Sequence, residues 1–133
     1  MSKPFVYNPN DTSLTINGIY ITGLGEDMVE FEFDEERGEA VVGAQGDVVF
    51  NETNNKLATM SVSIQASSPQ YKTLLNYARQ GTVFPVWGVN KSIGERFGGT
   101  KARFKNPAAI SYGSSLEDRT FEILVFDGVV EPC

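Results

Sequence analysis

At 133 residues and 14.6 kDa, 41% hydrophobic with nine Phe, five Tyr and one Trp, the chain has the length and apolar content for one domain with a packed core. Eleven Lys and Arg against seventeen Asp and Glu leave a net charge of −6, which disfavours any role that wraps nucleic acid through its phosphates. Histidine is absent and Cys133 is the one cysteine, so His-based catalysis, the commonest metal ligand, an internal disulfide framework and a cysteine zinc cluster are excluded.

Residues 1–12, with Pro4, Pro9 and a polar run from Asn8, predict an N-terminal arm without the apolar stretch of a secretory leader. The longest apolar run, Ile123-Leu124-Val125-Phe126, is far short of the roughly 20 residues of a membrane helix. We therefore expect cytosolic folding and no membrane insertion, and the sequons at Asn10, Asn51 and Asn90 read as chance matches. Cys133 reads as a passive terminal thiol or an appended residue.

Leu14-Thr15-Ile16 and Ile19-Tyr20-Ile21 flank Asn17-Gly18, the pair that a type I′ hairpin turn requires at its two positive-φ positions. From Asp27 to Asp34 the chain alternates, with Val29, Phe31 and Phe33 on one face and Glu30, Glu32 and Asp34 on the other. Residues 35–47 carry three glycines and no periodicity, and a connection this long is more often functional than idle. Val48-Val49-Phe50 predicts a short strand, and 56–65 a long one with Ala58, Met60, Val62 and Ile64 facing a core. The opposite face of that strand (Leu57, Thr59, Ser61, Ser63, Gln65) is small, polar and uncharged, where a solvent face normally carries long charged side chains.

Ser68-Pro69 predicts a helix start, Gly81 its end, and Tyr71, Leu74, Leu75 and Ala78 one apolar stripe. Residues 82–89 return to strand character, with Pro85 marking an edge or bulge. A second glycine-rich loop is expected over 90–99, then an alternating strand over 100–105 with Lys101, Arg103 and Lys105 on one side. After an irregular stretch over 106–118, Arg119 to Phe126 predicts the last long strand. Six or seven strands with hairpin-like connections and one helix imply a mainly β domain of antiparallel sheets, a sandwich or barrel.

Catalytic signals are thin. Gly23-x-Gly25 lacks the rest of a dinucleotide fingerprint, no serine sits in a nucleophile elbow, and Asp34-Glu35-Glu36 lacks the spacing of a calcium loop. Glu30 and Glu32 share one face of one strand, which is ordinarily a solvated face rather than an acid/base pair. We expect no enzyme, no cofactor and no metal.

What remains is an interaction protein. The hairpin 14–21, the strand Val29–Asp34 with its following Glu35-Glu36-Arg37-Gly38-Glu39-Ala40-Val41-Val42-Gly43, and the passage from Lys56 through Gln65 into Ser68-Pro69, Leu74 and Leu75 together resemble the tail tube proteins of contractile-tailed bacteriophages. The resemblance extends to their relatives in type VI secretion and phage-tail-like bacteriocins, and covers residues 12–127 by pattern more than by identity. It implies a single tail-tube domain over 1–133 that forms hexameric rings. These stack into a tube for passage of DNA, assembled in the host bacterial cytoplasm and located in the virion tail. Implied partners are further copies of the chain, the tail sheath, the tape measure and baseplate or terminator proteins.

Under that resemblance Thr59, Ser61, Ser63 and Gln65 line the bore, with Glu30 and Glu32 beside them. The loop 35–47, through Glu35, Glu36, Arg37, Glu39, Val41 and Val42, reaches a neighbouring ring. The same residues also fit an ordinary solvated sheet face and a floppy loop. A bacteriocin or secretion-system tube, or a monomeric carbohydrate-binding sandwich using Tyr71, Tyr77, Trp87 or Tyr112 as a stacking platform, stays open beside the phage tube.

Overall fold

A computed structural model describes residues 6–133; the first five residues of the expected arm lie outside the described residues. A 3-10 turn at Pro9–Asp11 leads into β1 (Thr12–Ile16), β2 (Ile19–Tyr20) and β3 (Leu24–Phe33). The chain continues with β4 (Gly38–Val42), β5 (Val48–Glu52), β6 (Ala58–Ile64), the helix α1 (Tyr71–Gln80) and β7 (Phe84–Asn90). It ends with β8 (Glu95–Phe104), β9 (Arg119–Val125) and β10 (Val129–Pro132). The main sheet runs β2-β1-β7-β8-β9-β6-β3, with β10 attached to β8, and β4 and β5 form a separate two-stranded sheet. Every pairing is antiparallel.

Local signals act as expected in several places. Asn17 and Gly18 both take positive φ, 53° and 78°, and fold β2 back on β1. Gly81 ends α1 in the left-handed region, its N–H bonded to the Tyr77 carbonyl. Pro85 falls where the β7–β8 register shifts between Phe84 and Val86, the bulge its missing N–H calls for. The helix, however, starts two residues later than its sequence signal. The Ser68 hydroxyl donates to the Thr22 carbonyl at 2.6 Å and ties the turn to the strand connection instead of capping α1.

The core is one apolar cluster between the sheet's inner face and α1. Leu14, Ile16, Met60, Val62, Ile64, Val86, Ile123 and Val125 are fully buried, and Leu74 is the helix residue driven deepest. Phe104 sits between Phe84 and Phe121, at 5.2 and 5.0 Å between ring centroids. Phe31 of β3 meets Phe97 of β8 at 5.7 Å, although three strand steps separate β3 from β8. In a flat sheet those steps amount to roughly 14 Å, so the sheet curls on itself like a barrel.

β8 is the strand that makes the curl possible, because it forks. Glu95–Gly98 pairs with β10, Ala102–Phe104 pairs with β9, and the Thr100–Lys101 backbone between them has no strand partner on that side. Gly98, at φ 141°, lies so close to the Val86 carbonyl that no β-carbon fits, which is why glycines fall inside a strand where sequence alone predicted a loop. The Asp127 side chain fills the gap. It accepts from the Lys101 N–H at 3.0 Å, the Thr100 N–H at 3.1 Å and the Thr100 hydroxyl.

Burial raises the Asp127 pKa, but the Thr100 hydroxyl and the Thr100 and Lys101 N–H groups stabilise the carboxylate and leave it below its ordinary 3.8. A folded value below the unfolded one means the plug contributes fully above the unfolded pKa and fades as pH falls through the folded one. Asp127→Ala is expected to cost about 1–2 kcal/mol at neutral pH in urea unfolding. The gap from the native chain should narrow below about pH 4; a gap that stays constant there refutes the ionic plug.

Candidate functional site

The sheet's outer face gathers most of the residues expected to line a bore. Glu30 pairs with Ser61 and Glu32 with Thr59, and these two pair onward with Glu122 and Leu124 of β9. Thr59 donates to Asp34 Oδ1 at 2.8 Å, so the acidic strand and the hydroxyl strand are knit together. Gln65 stands exposed just past the end of β6, its N–H bonded to the Gly23 carbonyl. Ser63 departs from the expectation. It is 9% exposed, covered by the bulged start of β3 near Gly25 and by Asp118, and does not join the open face.

The same face continues into positive charge. Arg103 pairs with Leu124, and Lys105 Nζ lies 3.6 Å from Glu122 Oε2. The outer face therefore grades from acidic at β3, through the uncharged β6, to basic at β8, rather than being acidic throughout.

Residues 35–47 are not the irregular loop that the sequence predicts. Gly38–Val42 pairs with Val48–Glu52 as a β-hairpin, closed by a turn in which Gly46 has φ 89°. Glu35, Glu36 and Arg37 precede the hairpin; Glu39, Val41 and Val42 lie within it, and all six are exposed. Ala40, Phe50, Val42 and Val48 share one hairpin face, Val41 and Val49 the other, and Phe50 is 54% exposed. Apolar side chains on both faces of an uncovered hairpin are a liability in water. At its root a cleft of about 390 Å³ opens beside Phe33, Val129 and Val130.

The irregular stretch 106–118 has an anchor that sequence reasoning missed. Arg119, 3% exposed, donates from one guanidinium nitrogen to the carbonyls of Ser111 (3.2 Å) and Glu117 (3.0 Å), with Tyr112 stacked 5.3 Å away. Its position at the head of a strand gave no hint of burial, and an arginine reads as surface by default. The loop it pins presents Ile110, Tyr112 and Leu116 to solvent.

Of the four rings offered as a carbohydrate platform, Tyr71 and Tyr77 pack against the core and the Arg96 guanidinium covers the Trp87 ring at 3.9 Å, while Tyr112 stands 81% exposed. A cleft of about 590 Å³ between the 3-10 turn and the start of β3 is lined by Tyr7, Tyr20, Leu24 and Met28, with no carboxylate among its described residues. No group of three His, Cys, Asp or Glu able to hold a metal occurs among the described residues.

No protein-family model matches the sequence, and no curated protein matches it. The fold does have solved counterparts. It is similar to the anti-feeding prophage cap (AFP tube terminating cap), with TM-score 0.60 and 7% identity over 100% of this chain and 95% of that one. It is also similar to the sheath/tube terminator of an extracellular contractile injection system, PVC, in the extended state. That match has TM-score 0.57 and 6% identity over 98% of this chain and 99% of the other. At such identities the likeness is one of fold. The counterparts belong to contractile systems, as the sequence resemblance implies, but they end a tube rather than build its length.

Arg119→Ala strands two carbonyls and releases the loop it holds. The expected cost is about 2–3 kcal/mol in urea unfolding, with faster proteolytic cutting within 106–118. A loss under about 1 kcal/mol with unchanged cutting means that the loop is held by something else.

Proposed function

We propose that this chain is a non-catalytic structural subunit of a contractile tail or injection apparatus, forming a ring where the tube ends. One observation carries the reading: the fold matches a tube cap over 100% of this chain and a sheath/tube terminator over 98% of it. Its partners on this reading are further copies of itself and the tube and sheath ends on which it sits.

The uncovered hairpin favours a second reading, a repeating tube subunit in stacked hexameric rings. Here β4–β5 reaches the adjacent ring and buries Val41, Val42, Val48, Val49 and Phe50 there. In both readings the hydroxyl strand, with Thr59 and Ser61, faces the bore. Small uncharged side chains give a passing polyanion no phosphate anchor, and the net charge of −6 repels it.

Negative-stain microscopy of the purified protein is expected to show annular particles. Single or paired rings fit the terminator and long tubes fit the repeating subunit, while particles that stay at 14.6 kDa overturn both. The paired substitution Val41→Asp with Val49→Asp, at exposed positions, is expected to leave unfolding free energy within about 0.5 kcal/mol of native and to abolish ring stacking. Stacks that survive it rule out the hairpin as the stacking element. Ser61→Cys is expected to react with a bulky maleimide in isolated subunits and to be shielded in assembled particles; equal labelling refutes its place in the bore.

A further inference from the structure

The charges of this chain are sorted along its length. Residues 26–52 hold ten of the seventeen acids and one base, Arg37, whereas residues 53–105 hold eight of the eleven bases and one acid, Glu95. The fold turns that sorting into geometry on the outer face. One row runs Lys105–Glu122–Ser61–Glu30, and the next Arg103–Leu124–Thr59–Glu32. A third begins at Lys101, whose carbonyl accepts from Phe126, and ends at Asp34, whose N–H donates to Leu57. Each row starts on a base in β8 or just past its end and finishes on an acid in β3 or just past its end.

The two columns have the same pitch, because alternate residues along a strand stand roughly 7 Å apart. Two strands, β9 and β6, stand between the columns in the sheet. Among the described residues the ion pairs are Arg96–Glu131 and Lys105–Glu122, so Glu30, Glu32, Asp34, Lys101 and Arg103 enter none. The acidic column lies on β3, a terminal strand whose outer edge carries no backbone partner in the sheet among the described residues, and just past its end. The basic column is bordered by the start of β7, where Phe84 pairs with Ala102, and beyond it by the end of α1, where Arg103 lies against Gly81 and Val83 is exposed.

We infer that the acidic β3 margin of one copy docks on the basic β8 margin of a second copy, a head-to-tail contact in which acids and bases of equal pitch meet. The occupant is a second copy because a copy carries the complement of both columns at once, the acids of 30–34 and the bases of 101–105. A contact of this kind joins different patches on the two partners, so it propagates, and it closes into a ring when the rotation allows. The inference rests on the proposed ring-forming role and adds which surfaces meet and what force selects them. It leaves the middle of the face, at Thr59 and Ser61, free to line a bore.

Sedimentation velocity over a range of protein concentration and NaCl tests the contact. The native chain is expected to associate, and to do so at least about tenfold more weakly at 1 M than at 0.1 M NaCl. The variants E30K/E32K/D34K and K101E/R103E/K105E are each expected to stay monomeric while retaining the native circular dichroism. Their equimolar mixture is expected to associate again, as is the chain carrying all six reversals. Association of either variant alone at native strength, or failure of the folded mixture to associate, overturns the contact while leaving the ring-forming role intact. A native chain that is monomeric at every salt and concentration overturns the role itself. If a triple variant does not fold, the single reversals Glu32→Lys and Arg103→Glu are read in the same way.

Discussion

A strand that pairs with two successive partners on one side leaves backbone donors exposed at the junction, and this fold depends on how β8 resolves that problem. The Asp127 carboxylate takes the N–H groups of Thr100 and Lys101 that neither β9 nor β10 reaches. Gly98 lets β8 pass against the Val86 carbonyl where a side chain has no room. With the junction closed, β10 and β9 follow one another along a single edge and the sheet turns toward itself. Phe31 then reaches Phe97 to seal the core. Without the fork, β3 and β8 stay about 14 Å apart and that aromatic contact is lost.

The curl gives the two faces of the sheet different work. The inner face is dry, filled by Phe84, Phe104 and Phe121 and closed by Leu74 from the helix. What projects outward is the charge-graded face, the β4–β5 hairpin and the loop pinned by Arg119, and on the proposed reading these are the surfaces with which the chain meets its neighbours.

Much of the core was legible because local chemistry and tertiary packing agree there. Asn17-Gly18 admits one tight turn, Gly81 ends the helix, and the alternation of Ala58, Met60, Val62 and Ile64 matches their complete burial. The misreadings have physical causes. Residues 38–52 show no period of two because both hairpin faces are uncovered, so neither burial nor exposure selects alternate positions. The start of β8 looked like a loop because its glycines answer to a neighbouring carbonyl rather than to a turn. Ser63 followed the polar face in sequence, yet the β3 bulge folds over it. Arg119 was invisible because its partners are backbone carbonyls, which leave no trace in side-chain pattern.

The hairpin also bears on timing. Two strands without a core of their own are barely stable in water. On the reading in which this hairpin reaches an adjacent ring, the first copies to meet order β4–β5 with few contacts in return, so the earliest complexes are weak. A copy that joins a formed ring orders its hairpin against more partners at once. Growth of that kind has a lag, and a preformed seed removes it.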